Sequence, residues 1–317
     1  MGRAIATRVL RLLLSVFAVT LLVFLMLDMR GGDPCIVSLG TGATDESVAQ
    51  CRVDLKLDDP LPARYANWLG DMVSGDFGHS YLNGIPVSTS LKQTLPVSLS
   101  LVFFGQLLAL AIAIPIGVWA GYRQGGWFDR ITGTASFAFL ALPGFLIGVF
   151  LIWGFATNLG WFPSTGYVGP TESIPEYLRS ITLPALALAL PNAAVYSRLL
   201  RVDMSSTLQE EYITVAKAKG LSDTQILFRH ALRPSSLSLL TVAGVNTATL
   251  IGGAVVVERL FELNGVGSFL IQSVFRNEFL IVQSVVALIA VSFITVNFVV
   301  DALYAVLDPR VRSAVAS

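Results

Sequence analysis

Long apolar runs, rather than amphipathic stripes, dominate the pattern of this chain. Charged residues are missing between Lys92 and Arg123, Arg130 and Glu172, Arg179 and Arg198, Arg233 and Glu258, and Glu278 and Asp301. The run from Leu12 to Leu27 is also uncharged. A helix that crosses about 30 Å of hydrocarbon needs about 20 apolar residues at 1.5 Å each. Six stretches reach that length, the first by extending back over Val9 and Arg11. They predict helices over 9–29, 96–121, 133–156, 182–202, 236–257 and 281–305, an all-α polytopic membrane protein. The competing reading, buried helices of a large soluble core, would need amphipathic helices around them, and the chain has too few.

The polar stretches divide the chain further. Residues 1–29 hold the first helix and its basic N-terminus, 30–95 a polar lobe or ordered loop rich in Asp, Gly and Pro, and 96–307 a five-helix core. The last ten residues, 308–317, form a polar tail. A connection as long as 30–95 is expected to have structure and a task of its own. The first helix could be mistaken for a cleaved signal peptide, but Asp28-Met29-Arg30-Gly31-Gly32-Asp33 follows it, not a small-residue cleavage site. A second connection near 158–181, with Pro163, Pro170 and Pro175, reads as an irregular cap. A third, near 258–280, turns at Asn264-Gly265 and then continues as a short amphipathic run to Arg276, which suits an interfacial helix.

Composition agrees with lipid as the solvent. The 317 residues are 54% hydrophobic and 13% charged, with a mean hydropathy of +0.70; soluble domains carry about 25% charge. The net charge of zero hides a separation. With the N-terminus in the cytoplasm, only Arg30, Arg52, Lys56, Arg64, Lys92, Arg179, Arg259 and Arg276 of the 21 basic residues fall outside. The first five of these lie in one long loop, where charge has little say. The excess inside therefore predicts an N-in, C-in orientation, with 30–95 outside. Both cysteines, Cys35 and Cys51, lie in that loop. In an oxidising exterior they favour a disulfide over two unrelated thiols, and closing such a loop contributes about 3 kcal/mol.

Within the spans, Gly117 and Gly121, and Gly144 and Gly148, have the spacing that lets helix backbones approach closely. Pro115, Pro143, Pro184 and Pro191 are expected to kink or break their helices. Chemistry-bearing residues are few. His79 and His230 begin no zinc motif, Gly78-His79-Ser80-Tyr81-Leu82 lacks the second glycine of a nucleophile elbow, and no Lys follows a Gly, which excludes a P-loop. No metal site or bound cofactor is expected. Ion-coupled carriers keep acids near mid-membrane, whereas Asp301, the one acid in a late span, sits close to its end. Gln106, Asn192, Asn246 and Asn297 read first as interhelical hydrogen-bonding groups.

The loop over 203–235 carries the most information. Glu211-Tyr212-Ile213-Thr214-Val215-Ala216-Lys217-Ala218-Lys219-Gly220-Leu221-Ser222-Asp223 implies a short helix that stops at Gly220. A second begins with Ser222 as N-cap and leads to Arg229-His230-Ala231-Leu232-Arg233. Small residues on one face suit seating in a groove, and the flanking Lys and Arg suit acids on a partner or anionic lipid. By composition alone, this is a basic cytoplasmic loop.

Read as a motif, Tyr212 to Arg233 resembles the cytoplasmic loop of binding-protein-dependent ABC importer permeases of the dipeptide/oligopeptide/nickel family. The core is Ala216-Lys217-Ala218-Lys219-Gly220-Leu221-Ser222 followed by Arg229-His230-Ala231-Leu232-Arg233. The resemblance extends to Gly32-Asp33-Pro34, Leu57-Asp58-Asp59-Pro60-Leu61-Pro62, Gly75-Asp76-Phe77-Gly78-His79-Ser80 and Thr182-Leu183-Pro184. It continues in Val257-Glu258-Arg259-Leu260-Phe261, Val300-Asp301-Ala302-Leu303-Tyr304 and Leu307-Asp308-Pro309-Arg310-Val311-Arg312. The long first loop resembles the dipeptide permease B-type subunit. Departures are Thr214-Val215 in place of Glu-Ala, Pro234-Ser235 in place of Asn-Ala, and Asn264-Gly265 in place of Pro-Gly.

The resemblance implies a type I importer permease fold in a bacterial inner membrane and no ATPase site on this chain. It implies a second permease, two ABC ATPases that carry ATP and Mg, and an external solute-binding protein as partners, with surrounding lipid and no nucleic acid. Tyr212, Ala216, Lys217, Ala218, Lys219, Gly220, Leu221, Ser222, Arg229 and His230 would couple to the ATPases. Asn246, Glu258 and Arg259 are the candidates for an outer gate. Di- or oligopeptides are the expected cargo, with nickel, glutathione or another small solute as the alternative. The alternatives are a channel or ion-driven carrier acting alone, against which the absence of mid-membrane acids argues, and a membrane enzyme, for which no catalytic pair lies within the spans.

Overall fold

The structure of the chain, a computed structural model, describes residues 2–29, 34–54, 57–80 and 82–307. Gly32, Asp33, Lys56, Tyr81 and the tail 308–317 with Asp308-Pro309-Arg310-Val311-Arg312 lie outside the described residues, as does the side chain of Asp301. The described chain is helical throughout, apart from turns and one isolated antiparallel bridge between His79 and Pro86. Helix α1 (Gly2–Asp28) is followed by α2 (Pro34–Leu39), a 3-10 turn Gly40–Gly42, α3 (Asp45–Asp54) and α4 (Leu61–Ser74). Next come α5 (Val87–Tyr122), α6 (Trp127–Ala141), α7 (Gly144–Leu151) continuing as π-type turns over Ile152–Asn158, and α8 (Ile174–Thr207). Two short helices, α9 (Glu211–Ala218) and α10 (Asp223–Gln225), lead through a π-type turn Ile226–Ala231 into α11 (Leu232–Leu260). The last two are α12 (Val266–Phe275) and α13 (Phe279–Leu307).

Among the described residues, five helical segments are long and apolar enough to cross a membrane: Val9–Met26, Val87–Tyr122, Ile174–Thr207, Asp223–Leu260 and Phe279–Val299. A sixth crossing is available only if α6 and α7 count as one, and the two are bent by 107°. The single helix expected over 133–156 is therefore corrected to a broken pair. Leu142 adopts an extended conformation (ψ 128°) ahead of Pro143, the bias that proline imposes on its predecessor. The other three prolines break nothing: α5 runs on through Pro115, and α8 through Pro184 and Pro191. Helix α5 also starts at Val87, nine residues before the expected 96. Val87, Leu91, Thr94 and Val97 are all buried, the three-to-four-residue spacing of a helix face, so this turn of polar sequence is helical because its apolar side is covered.

The chain forms two compact units, Met1–Ser98 with Asn264–Phe298, and Leu99–Leu263 with Val299–Ser317. This grouping cuts across the 96–307 core read from sequence. In the first unit Cys35 and Cys51 form a disulfide with Cα atoms 5.8 Å apart, tying α2 to α3. Helix α4 lies against α1: Tyr65 meets Phe17 and Phe24 edge-on at 5.8 and 5.5 Å, and its hydroxyl is 2.9 Å from that of Thr20. The glycine-rich turn after α4 needs left-handed backbone at Gly75 (φ 89°) and Gly78 (φ 80°), which glycine adopts without steric cost. It places Phe77 against Val87, Leu91, Val266, Ile281 and Val285. Ser80 donates to the buried Glu278 carboxylate at 2.8 Å, and Ser284 donates to the Phe77 carbonyl at 3.0 Å.

The second unit is built on close helix contact. A Cβ at Gly117 would stand 2.9 Å from the Leu200 Cβ, and one at Gly121 would stand 2.7 Å from that of Met204. Gly148 similarly admits Leu260 and Phe261, and Gly144 admits the Ala187 carbonyl. Both glycine pairs thus seat α8 or the end of α11 against a bare backbone. Between α5, α8 and α11 the polar groups satisfy one another. Tyr196 donates to Gln106 at 3.2 Å, Gln106 to the Ala243 carbonyl at 3.2 Å, and Asn246 to Asn192 at 3.4 Å. The connection 159–173 is irregular, held by Gly166 N–H on the Phe261 carbonyl at 2.9 Å and by Arg179 on the Trp161 carbonyl at 3.0 Å.

Candidate functional site

The loop between α8 and α11 folds by local rules. Helix α9 ends in a Schellman arrangement: Gly220 N–H donates to the Lys217 carbonyl at 2.9 Å and Leu221 N–H to the Ala216 carbonyl at 3.3 Å, with Gly220 left-handed at φ 78°. This pairing satisfies carbonyls that the helix end would leave open. Two residues on, Ser222 accepts from Gln225 N–H at 3.4 Å, and the Gln225 side chain accepts from Ser222 N–H at 3.3 Å, a reciprocal capping box. Gly220, Leu221 and Ser222 are thus one compact turn joining two helices.

The loop has an inward and an outward face. Ile213, Ala216, Ile226, Leu227 and Ala231 join a core with Ala113 and Val118 of α5 and Tyr196, Leu200 and Met204 of α8, and Leu221 packs against it. The opposite face is open: Tyr212 is 46%, Val215 52% and Phe228 56% exposed, beside exposed Lys217, Ala218, Lys219, Gly220, Ser222 and Arg229. One tyrosine and two apolar side chains thus stand exposed among basic ones on a short capped helix and turn. Among the described residues no group of three or more His, Cys, Asp or Glu could hold a metal ion.

Polar contacts fasten this loop to the ends of α5 and α8. The Tyr122 hydroxyl donates to Asp223 at 2.7 Å, Ser235 donates to Thr207 at 2.9 Å, and Ser205 bonds to Gln124. Arg201 of α8 grips Asp129 of α6 with two bonds of 2.6 and 2.7 Å, and Asp129 also accepts from Gly125 N–H at 2.9 Å. Pro234 has no N–H for the His230 carbonyl four residues earlier. The Tyr212 hydroxyl approaches that carbonyl at 3.4 Å. Burial, then the charge of Glu210, raise the Tyr212 phenol above its ordinary value, so it stays protonated and able to donate. Tyr212→Phe is expected to cost about 0.5–1 kcal/mol, read as a lower unfolding midpoint of the purified chain in detergent. An unchanged midpoint would deny this bond any weight.

The sequence-selected residues therefore separate. Ala216 (7% exposed) and Leu221 belong to the packed side, His230 is half-buried, and the remaining seven lie outward. Val215 and Phe228, which were not among the residues selected from sequence, share the outward side, and an apolar residue in a loop rich in Lys and Arg is a signal that sequence offers. The Asp129–Arg201 pair, 72 residues apart, leaves no local trace. The gate candidates are not brought together. Asn246 and Glu258 are twelve residues apart on α11, about 18 Å along a helix. Glu258 is buried while Arg259 is exposed. A cavity of about 250 Å³ lies between them, lined by Gly144, Phe145, Asn192, Thr249, Gly253 and Val257 among others.

Comparison with known proteins places the chain in context. Residues 113–313 match the family described as binding-protein-dependent transport system inner membrane component, and residues 1–102 match the N-terminal region of such membrane components. A peptide transport system permease protein of Brucella abortus (strain 2308) is 38% identical, over 98% of this chain and 99% of that one. The oligopeptide transport system permease protein AppB of Bacillus subtilis (strain 168) is 34% identical, over 98% and 100%. The glutathione transport system permease protein GsiC of Shigella flexneri serotype 5b (strain 8401) is 33% identical, over 96% and 97%. A chain from the inward-facing MetNI methionine ABC transporter shares the fold, with a TM-score of 0.56 at 16% identity, over 69% of this chain and 96% of that one.

Proposed function

The chain belongs to the family of binding-protein-dependent transport system inner membrane components, and from that premise we propose that it works as one of two permease subunits of an ATP-driven importer of di- and oligopeptides. Its partners are a second permease, two ABC ATPases that bind ATP and Mg, and an external solute-binding protein. It makes six crossings, with α6 and α7 together as the third, and both termini lie in the cytoplasm with 30–95 outside. The excess of basic residues in the segments this places inside supports that orientation.

The observation that carries the reading is the two-sidedness of the loop between α8 and α11. Its inner face is fused to the ends of α5 and α8, and its outer face offers Tyr212, Val215, Ala218 and Phe228 to a partner. A push on such a face moves the spans, which is what a coupling element must do. Lys217, Lys219, Gly220, Ser222 and Arg229 border the contact, while Ala216, Leu221 and His230 brace it from behind. The gate lies along α11 between Asn246 and Glu258–Arg259, a reading supported by the cavity at Asn192 and Thr249.

Reconstitution tests this directly. Liposomes holding the full complex take up a labelled oligopeptide only with ATP and the loaded binding protein. Uptake by the purified chain without ATPases would overturn the reading. Uptake of glutathione or nickel in place of peptides would overturn the cargo alone.

A further inference from the structure

A second cavity, of about 470 Å³, lies between α6 and the end of α5 and α8. Its wall carries Asp129, Arg130, Arg198 and Arg201, three arginines against one aspartate. Arg201 is committed to Asp129 through two charge-assisted bonds. Among the described residues neither Arg130 nor Arg198 pairs with a carboxylate, so the cavity keeps two positive charges in excess. The Arg198 guanidinium is held over the Phe137 ring at 4.6 Å, which fixes its position without neutralising it. Thr132, Thr134, Ser136 and Ser197 line the rest together with Ile116 and Ala120, and two large apolar side chains stand open on the wall, Phe137 of α6 at 62% and Val202 of α8 at 57% exposed.

Two uncompensated guanidinium groups, one of them held over Phe137, beside exposed apolar side chains match one ligand class, an amphiphile with an anionic phosphate. We propose that this cavity holds the phosphate of an anionic phospholipid, bound by Arg130 and Arg198, with the acyl chains along Phe137 and Val202. Arginine suits phosphate because its planar fork matches the oxygens. A free phosphate ion would satisfy the arginines but gain nothing from the apolar side chains. The Asp129–Arg201 pair forms the floor and sets the spacing of the two helices, so a bound lipid would brace the same helix ends that carry the coupling loop.

Native mass spectrometry of the full chain tests this, with phosphatidylglycerol as probe and phosphatidylcholine and inorganic phosphate as comparisons. The chain is expected to retain phosphatidylglycerol, and R130Q/R198Q to bind it about 30-fold more weakly, each basic group near an anionic headgroup contributing about fivefold. Phosphatidylcholine binding should not change. Equal retention of the two lipids, or retention unaffected by R130Q/R198Q, would each overturn the proposal. Displacement by inorganic phosphate at matched concentration would make this a free-anion site and overturn the lipid assignment.

Discussion

The double variant V215E/F228E is expected to abolish ATP-driven uptake by the reconstituted complex while leaving the subunit's own unfolding midpoint nearly unchanged. Both side chains are more than half exposed, so a charge there stays in water in the free subunit, where surface changes cost about 0.5 kcal/mol or less. In the assembled complex each glutamate would be unpaired in an apolar contact, at a cost typical of a hot spot, about 2 kcal/mol or more. Together they weaken ATPase binding by about a thousandfold. Copurification of the ATPase reports the loss. Ala216→Arg is the contrasting case. Ala216 is buried in the same core cluster as Leu200 and Met204, so arginine there should destabilise the loop itself and lower the unfolding midpoint. Normal uptake by V215E/F228E would remove the docking face from this chain.

A comparably large effect is expected of Gly121→Leu, in a different assay. The first carbon added would lie 2.7 Å from the Met204 Cβ and 3.0 Å from the Arg201 carbonyl, and neither can yield without moving α8. Overpacking at such a contact costs about 1–3 kcal/mol or more, and here it also displaces Arg201 from Asp129. The subunit should therefore lose thermal stability and yield. Gly252→Ala, where nothing lies within 4 Å of the added carbon, should be tolerated. Equal stability of Gly121→Leu and the parent would mean that α5 and α8 do not pack at this register.

These two cases show what sequence can disclose. The spacing of Gly117 and Gly121, the stop at Gly220 and the cap at Ser222 are local rules, and each appears in the structure where the residues place it. The apolar runs likewise reveal their helices. Ends and orientations are less legible, because burial decides them. Val87 to Leu95 looks polar until Val87 and Leu91 find Ile281 and Val285. Trp127 to Arg130 reads as a charged link, yet Asp129 is helical and neutralised by Arg201 from far along the chain. Pro143 gives a 107° bend, whereas Pro184 and Pro191 are absorbed within α8; composition does not separate them. The facing of Ala216 depends on α5 and α8, and no reading of the loop alone supplies it.

The open side of the loop has a bearing on biogenesis. A subunit synthesised in surplus would show water a tyrosine, a valine and a phenylalanine of one loop, the kind of greasy surface that folding monitors and membrane proteases recognise. On the proposed docking, balanced production with the nucleotide-hydrolysing companions would protect the polypeptide as well as serve its work.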